Sequence, residues 1–431
     1  MPKAAKQRET EAVGRQELGP NPRPGPRPLG LHLAVAALTW ASSRAALPLL
    51  RNGSLPWKAD LRQAAAALQA SLVKLDPETA AAVLDRQINQ RHKALLDGIS
   101  AYRHHPYRRD LPSAPEVWRE GTTRLLDYGA LAQGKAGAGG PPVLVVPSLI
   151  NRAYVLDLTA ETSLLRWLAG KGVRPYLVDW DRPDTEERRF TLTDYIAGRL
   201  ESALDAVLAA TGQRPVVLGY CMGGLLALAL ALRRRADLSG LALLATPWDF
   251  HADTGAQSAQ AASAARLLSP LLDTLGELPV DVIQALFAGL DPQLVVRKFL
   301  AFARLDPGHR KAESFVALED WLNDGVPLAA PVARECLAGW YGENTPATGH
   351  WRVAGKAVDP ARLDLPSLCV IPSGDRIVPP ASALALCEAI PNAEILRPAA
   401  GHIGMVVGGR AVDLVWQPLL TWLKARDDYA N

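Results

Sequence analysis

From residue 123 onward, apolar positions come in short solid runs separated by longer stretches with a helical period. "TRLLDYG" (123–129), "PPVLVVPSLI" (141–150), "RPYLVDW" (174–180), "PVVLGY" (215–220) and "LSGLALLATPWDF" (238–250) read as strands. Between them, "AETSLLRWLAGKG" (160–172) and "LTDYIAGRLESALDAVLAATG" (192–212) read as helices closed by glycine. Apolar runs that do not alternate with polar residues are buried on both faces, which predicts a mostly parallel sheet between two helical layers. Residues 251–330 break the rhythm with helical segments such as "VDVIQALFAGL" and "PQLVVRKFLAFARL". "LPSLCVIPSGDRIVPP" (365–380) and "AEILRPAAGHIGMVV" (393–407) then restore strands. The helical block is therefore an insertion placed where a lid covers a site.

Upstream of the sheet the pattern is different. Residues 1–28 are charged and then Pro/Arg-rich, with nothing to bury, and predict a disordered tail. Residues 29–120 form a helical N-terminal region, including two helices between 57 and 98. Its first segment, 29–50, has the length of a membrane span. It contains His32, Arg44 and Pro48 and is rich in Ala rather than Leu or Ile, so no transmembrane span is expected. The plan is a core from 121 to 250, a cap over 251–330, and a second core part over 331–431.

Composition narrows the function classes. Of the 431 residues 48% are hydrophobic and 21% charged, which suits a globular enzyme; a net charge of +3 gives no reason to expect nucleic acid. Cys221, Cys336, Cys369 and Cys387 form no C-x-x-C pair and no metal-ligand spacing. Cys369 and Cys387 lie in apolar contexts and read as reduced core thiols. No signal peptide is evident, so the expected location is the cytoplasm. "YRHHPYRRD" (102–110) is a basic, aromatic cluster that reads as a solvated loop, with phosphate binding as the minor alternative.

The chemistry sits in "VVLGYCMGGLLAL" (216–228), a strand, a sharp glycine turn and a helix of the pattern G-x-C-x-G. Gly219 and Gly223 leave room for the turn, and Cys221 is pushed out of it. The helix that follows aims N–H groups at the sulfur, which favours an anion there. Asp375 follows one predicted strand and His402 another, so nucleophile, acid and histidine occur in the order of the α/β-hydrolase triad. His402 would take the thiol proton and Asp375 would orient the imidazole. The N–H of Met222 is one expected oxyanion donor, and Ile150, in the loop after the 143–147 strand, supplies the other. Asp249, in "TPWDF", reads as structural or lid-contacting.

At these residues the chain resembles the polyhydroxyalkanoate synthases, the short catalytic-subunit type in particular. The resemblance runs over about 120–425 through "LINRAYVLDL", "YLVDWDRPD", "TLTDYI", "GYCMGG", "TPWDF", "GDRIVPP" and "GHIGMVVGG". "EDWLNDGVPL" departs from the pattern of the long-chain classes. The resemblance implies an α/β-hydrolase fold with a cap inserted after the sixth strand. It also implies Cys221 as acyl-carrying nucleophile with Asp375 and His402, and no metal or cofactor. The implied reaction polymerises (R)-3-hydroxyacyl-CoA with release of CoA. The implied associates are a growing polyester chain or granule surface and a partner subunit or second copy. A thiolate that attacks a thioester makes another thioester, so the acyl group stays activated for a hydroxyl. A cysteine-triad hydrolase, either thioesterase or polyester depolymerase, is the alternative; a granule scaffold with a dead site is the non-enzymatic one.

Overall fold

The computed structural model describes residues 23–132, 139–252 and 256–427. Helices α1 (Leu29–Arg51), α2 (Arg62–Val73) and α3 (Pro77–His104) precede the sheet. Its strands are β1 (Glu116–Glu120), β2 (Thr123–Asp127), β3 (Pro142–Val146), β4 (Arg174–Asp179), β5 (Val216–Tyr220), β6 (Gly240–Leu244), β7 (Ser367–Val370) and β8 (Glu394–Leu396). They lie in the order β1-β2-β4-β3-β5-β6-β7-β8. The edge strands β1 and β2 are antiparallel; from β4 to β8 every pairing is parallel. α4 (Leu164–Gly170), α5 (Glu201–Thr211) and α6 (Met222–Arg233) connect the strands.

Side chains of a strand point alternately to the two faces, and β3 shows the result. Leu144 and Val146 join one buried apolar layer while Val143 and Val145 join the other. That double burial is why β3, β5 and β6 carry solid apolar runs. The parallel strands all end at the same edge of the sheet, and an open α/β sheet presents its ligands beyond those carboxyl ends.

Between β6 and β7 lie α7 (Ala256–Leu275), α8 (Val280–Ala288), α9 (Leu294–Phe302), α10 (Arg310–Asn323) and α11 (Ala330–Arg334). Helix α12 (Pro380–Ala389) follows β7. A third apolar layer joins Ala36 and Trp40 of α1 and Ile99 and Tyr102 of α3 to Val296, Phe299, Ala312 and Val316 of α9 and α10. The N-terminal helices therefore rest on the inserted helices. Gly98 makes the approach close: a Cβ there would lie 2.3 Å from the Phe299 carbonyl oxygen.

Several expectations need correction. β1 falls inside the stretch read as helical, because Val117 and Trp118 belong to a hairpin with β2. The expected tail lies outside the described residues up to 22, but residues 23–28 are packed. Arg23 is buried, its Nε 2.5 Å from Asp320 Oδ1 and its Nη1 2.6 Å from the His105 carbonyl. In the basic cluster His104, Arg108 and Arg109 are exposed, as a solvated loop requires, while His105 meets the Pro307 carbonyl at 2.9 Å and Arg109 pairs with buried Asp157 at 2.8 Å. Cys369 of β7 and Cys387 of α12 are joined as a disulfide, their Cα atoms 6.2 Å apart, because strand and helix pack face to face. Helix α1 is long and apolar enough to cross a membrane, with a mean hydropathy of 1.4, yet Ala36, Trp40 and Leu47 pack on the protein.

Candidate active site

Cys221 sits between the last residue of β5 and the first turn of α6, with φ 57° and ψ −128°. A non-glycine residue at positive φ is strained and persists only where its surroundings hold it. Here the Cys221 N–H donates to the Leu244 carbonyl at 2.8 Å, and its own carbonyl accepts from Gly224 N–H at 2.9 Å. The glycines are a steric requirement. A Cβ on Gly219 would lie 2.4 Å from Gly224 Cα, one on Gly223 2.1 Å from the Val146 carbonyl, and one on Gly224 1.8 Å from Thr246 Oγ1. The expected turn is present, and the cysteine side chain is half-exposed.

Asp375 and His402, distant in sequence, meet beyond the ends of β7 and β8. Asp375 is buried; its Oδ1 accepts from the N–H groups of Ile377 (2.8 Å) and Val378 (2.9 Å). Its Oδ2 lies 2.7 Å from His402 Nδ1. That contact fixes the ring and leaves Nε2 for Cys221, with which His402 also hydrogen-bonds. Burial by itself would lower the imidazole pKa. The negative charge of a Cys221 thiolate, then the hydrogen bonds to Asp375 and Cys221, outweigh it and raise His402 to about 10. Tyr220 lies under the ring at 5.3 Å between centroids, and its hydroxyl donates to the His402 carbonyl at 3.2 Å.

Met222 opens α6, so its N–H lies outside the intrahelical ladder. Ile150 packs against the same apolar layer as Cys221, but its N–H donates to Ser148 Oγ at 3.0 Å. The N–H expected as the second oxyanion donor is thus engaged by a side chain of its own loop. Asp249 accepts from Asn344 Nδ2 (2.8 Å) and the His251 N–H (2.9 Å), a brace for the start of the insertion and not a part of the triad. Tyr341, which carries no sequence signal, lies on the wide helical turn Glu335–Gly342. Burial first, then the charge of Cys221 and Cys336, pushes its hydroxyl pKa up, so the hydroxyl stays neutral. Among the described residues no group of three or more His, Cys, Asp or Glu could hold a metal ion.

A cysteine on a strained strand-to-helix turn, beside a histidine held by a carboxylate at the ends of parallel strands, defines the α/β-hydrolase class. The model of that family, the alpha/beta hydrolase fold, matches residues 141–408. The poly(3-hydroxyalkanoate) polymerase subunit PhaC of Haloferax mediterranei is 30% identical over 318 residues, 72% of this chain and 64% of that protein. The subunit of the same name from Allochromatium vinosum is 30% identical over 298 residues, covering 68% of this chain and 83% of that one. That of Synechocystis sp. is 30% identical over 294 residues, 66% and 78%. This chain belongs to the PhaC family of poly(3-hydroxyalkanoate) polymerases.

Proposed function

We propose that the protein polymerises (R)-3-hydroxyacyl groups from their CoA thioesters, carrying each acyl group on Cys221. The carrying observation is the Cys221–His402–Asp375 line, read together with kinship to poly(3-hydroxyalkanoate) polymerases. The Cys221 thiolate attacks the thioester carbonyl, the C–S bond to CoA breaks, and imidazolium His402 gives its proton to the departing CoA sulfur. The N–H groups of Met222 and Ile150 receive the oxyanion once the Ser148 hydroxyl turns away. A chain hydroxyl then attacks the Cys221 thioester, and His402 takes its proton as the thiolate leaves. Asp375 holds the ring in register throughout.

Sulfur supports transfer over hydrolysis. The acyl group passes from one thioester to another at nearly equal energy and retains the driving force for ester formation. The growing polyester occupies the site during elongation, and a partner subunit or second copy is part of this reading, as is attachment to the granule the polymer forms. The test is purified protein with 3-hydroxybutyryl-CoA, with and without a candidate partner subunit, following free CoA and product size. CoA release with polymer supports the proposal. CoA release with monomeric acid alone makes the protein a hydrolase, and release that survives Cys221→Ala removes the covalent step.

A further inference from the structure

The loop Pro147–Arg152 is gripped from two sides. On the sheet side, Trp180 Nε1–H donates to the Pro147 carbonyl at 3.0 Å. On the other side the inserted helices hold the Asn151 amide and the Arg152 carbonyl, while the Arg152 guanidinium also pairs with Asp181 just past β4. Trp321 of α10 donates through Nε1–H to the Arg152 carbonyl at 2.7 Å. Gln284 of α8 donates to the Leu322 carbonyl at 3.0 Å and to Asn151 Oδ1 at 3.3 Å. A backbone carbonyl can only accept, so the Leu322 contact fixes the Gln284 amide with its NH2 toward Asn151. Asn151 has φ 65°, a left-handed conformation that asparagine tolerates and that needs such support. Asp324, just past α10, lies 3.6 Å from Arg152 Nε, and Gly325 has no Cβ where one would come within 3.2 Å of Asn151 Oδ1.

Ile150 thus immediately precedes two residues held by the insertion, Asn151 through its side chain and Arg152 through its carbonyl. We infer that Trp321 and Gln284 are positioning residues for acylation: acting through Asn151 and Arg152, they hold the Ile150 N–H where the thioester oxyanion develops. The nucleophile is built differently. Cys221 and Gly224 hydrogen-bond within β5, β6 and α6, and His402 is held by Asp375, with no bond to α8 or α10 among these contacts. Helices α8 and α10 therefore act on stabilisation of the oxyanion and not on the reactivity of the thiolate. This rests on the Cys221 acyl-transfer reading above.

Alkylation of a thiolate by iodoacetamide forms no oxyanion, whereas acylation does, so the two rates separate the functions. Trp321→Phe keeps the ring bulk and removes the N–H; Gln284→Leu removes the bridge from the opposite helix. Each variant is expected to slow acylation of Cys221 by about 10- to 100-fold, below the loss from deleting an oxyanion donor outright, with alkylation within about twofold of wild type. Two acyl donors, 3-hydroxybutyryl-CoA and p-nitrophenyl butyrate, are followed by release of CoA or nitrophenol in a single turnover. Acylation and alkylation falling together in both variants, or neither rate changing, overturns the inference. Wild type acylated by the nitrophenyl ester but not by the CoA thioester defeats the CoA reading while the ester still tests the positioning. Should Trp321→Phe fail to fold, Gln284→Leu decides alone.

Discussion

The imidazole of His402 concentrates what a single residue contributes here. Its pKa of about 10 depends on the charge at Cys221 more than on any other favourable contact. Replacing Cys221 with Ala leaves the burial and removes that charge, so His402 should titrate far lower, which NMR of the ring carbons would show; an unchanged titration would refute the pairing. The folded value lies above the ordinary 6.5. The linked stability is therefore present in full below about pH 6.5 and is lost as pH rises through about 10. Cys221→Ala should also cut CoA release by at least about a thousandfold, as deletion of a triad nucleophile does. Ser148 offers a gain instead. Its hydroxyl accepts the Ile150 N–H, and Ser148→Ala removes that competitor. Single-turnover acylation should rise about two- to tenfold, the worth of one hydrogen bond.

The elements show which features a linear pattern can carry. The turn around Cys221 was legible because its restraint is local: Gly219, Gly223 and Gly224 all fall within three residues of Cys221, and a Cβ on any of them would clash. Asp375 and His402 were legible through order and strand-end position. The partner of the Ile150 N–H, the place of Tyr341, the Cys369–Cys387 link and the burial of Arg23 were not. Each depends on which elements the fold sets side by side, and no periodicity encodes that. β1 was misread since five residues at a sheet edge, exposed on alternate sides, look like the end of a polar helix. The elbow also predicts its own fragility. Gly224→Ala drives a methyl into Thr246, and overpacking of this kind costs about 1–3 kcal/mol. Denaturant unfolding with a midpoint equal to wild type would show that α6 shifts freely instead.

For the whole molecule, the notable arrangement is the stacking of three layers in which the middle one is the insertion. Residues 29–104 touch α9 and α10, and Arg23 and Arg27 tie the chain to Asp320, Asn323 and Asp281. Gly98→Val should separate α3 from α9 while the triad stays assembled. Limited proteolysis should then cut within 29–104, with iodoacetamide labelling of Cys221 unaffected. Of the exposed large apolar side chains, Leu38, Leu49, Leu68, Val73, Val83 and Leu96 all lie on these N-terminal helices. A contact made there is felt first by α9 and α10, and α10 is the helix whose Trp321 holds Arg152. The outer layer and the loop after β3 are consequently linked through one pair of packed helices, as a handle is joined to a latch. By thermodynamic reciprocity, whatever tightens on the handle when the latch is closed must be gripped less firmly when it is open.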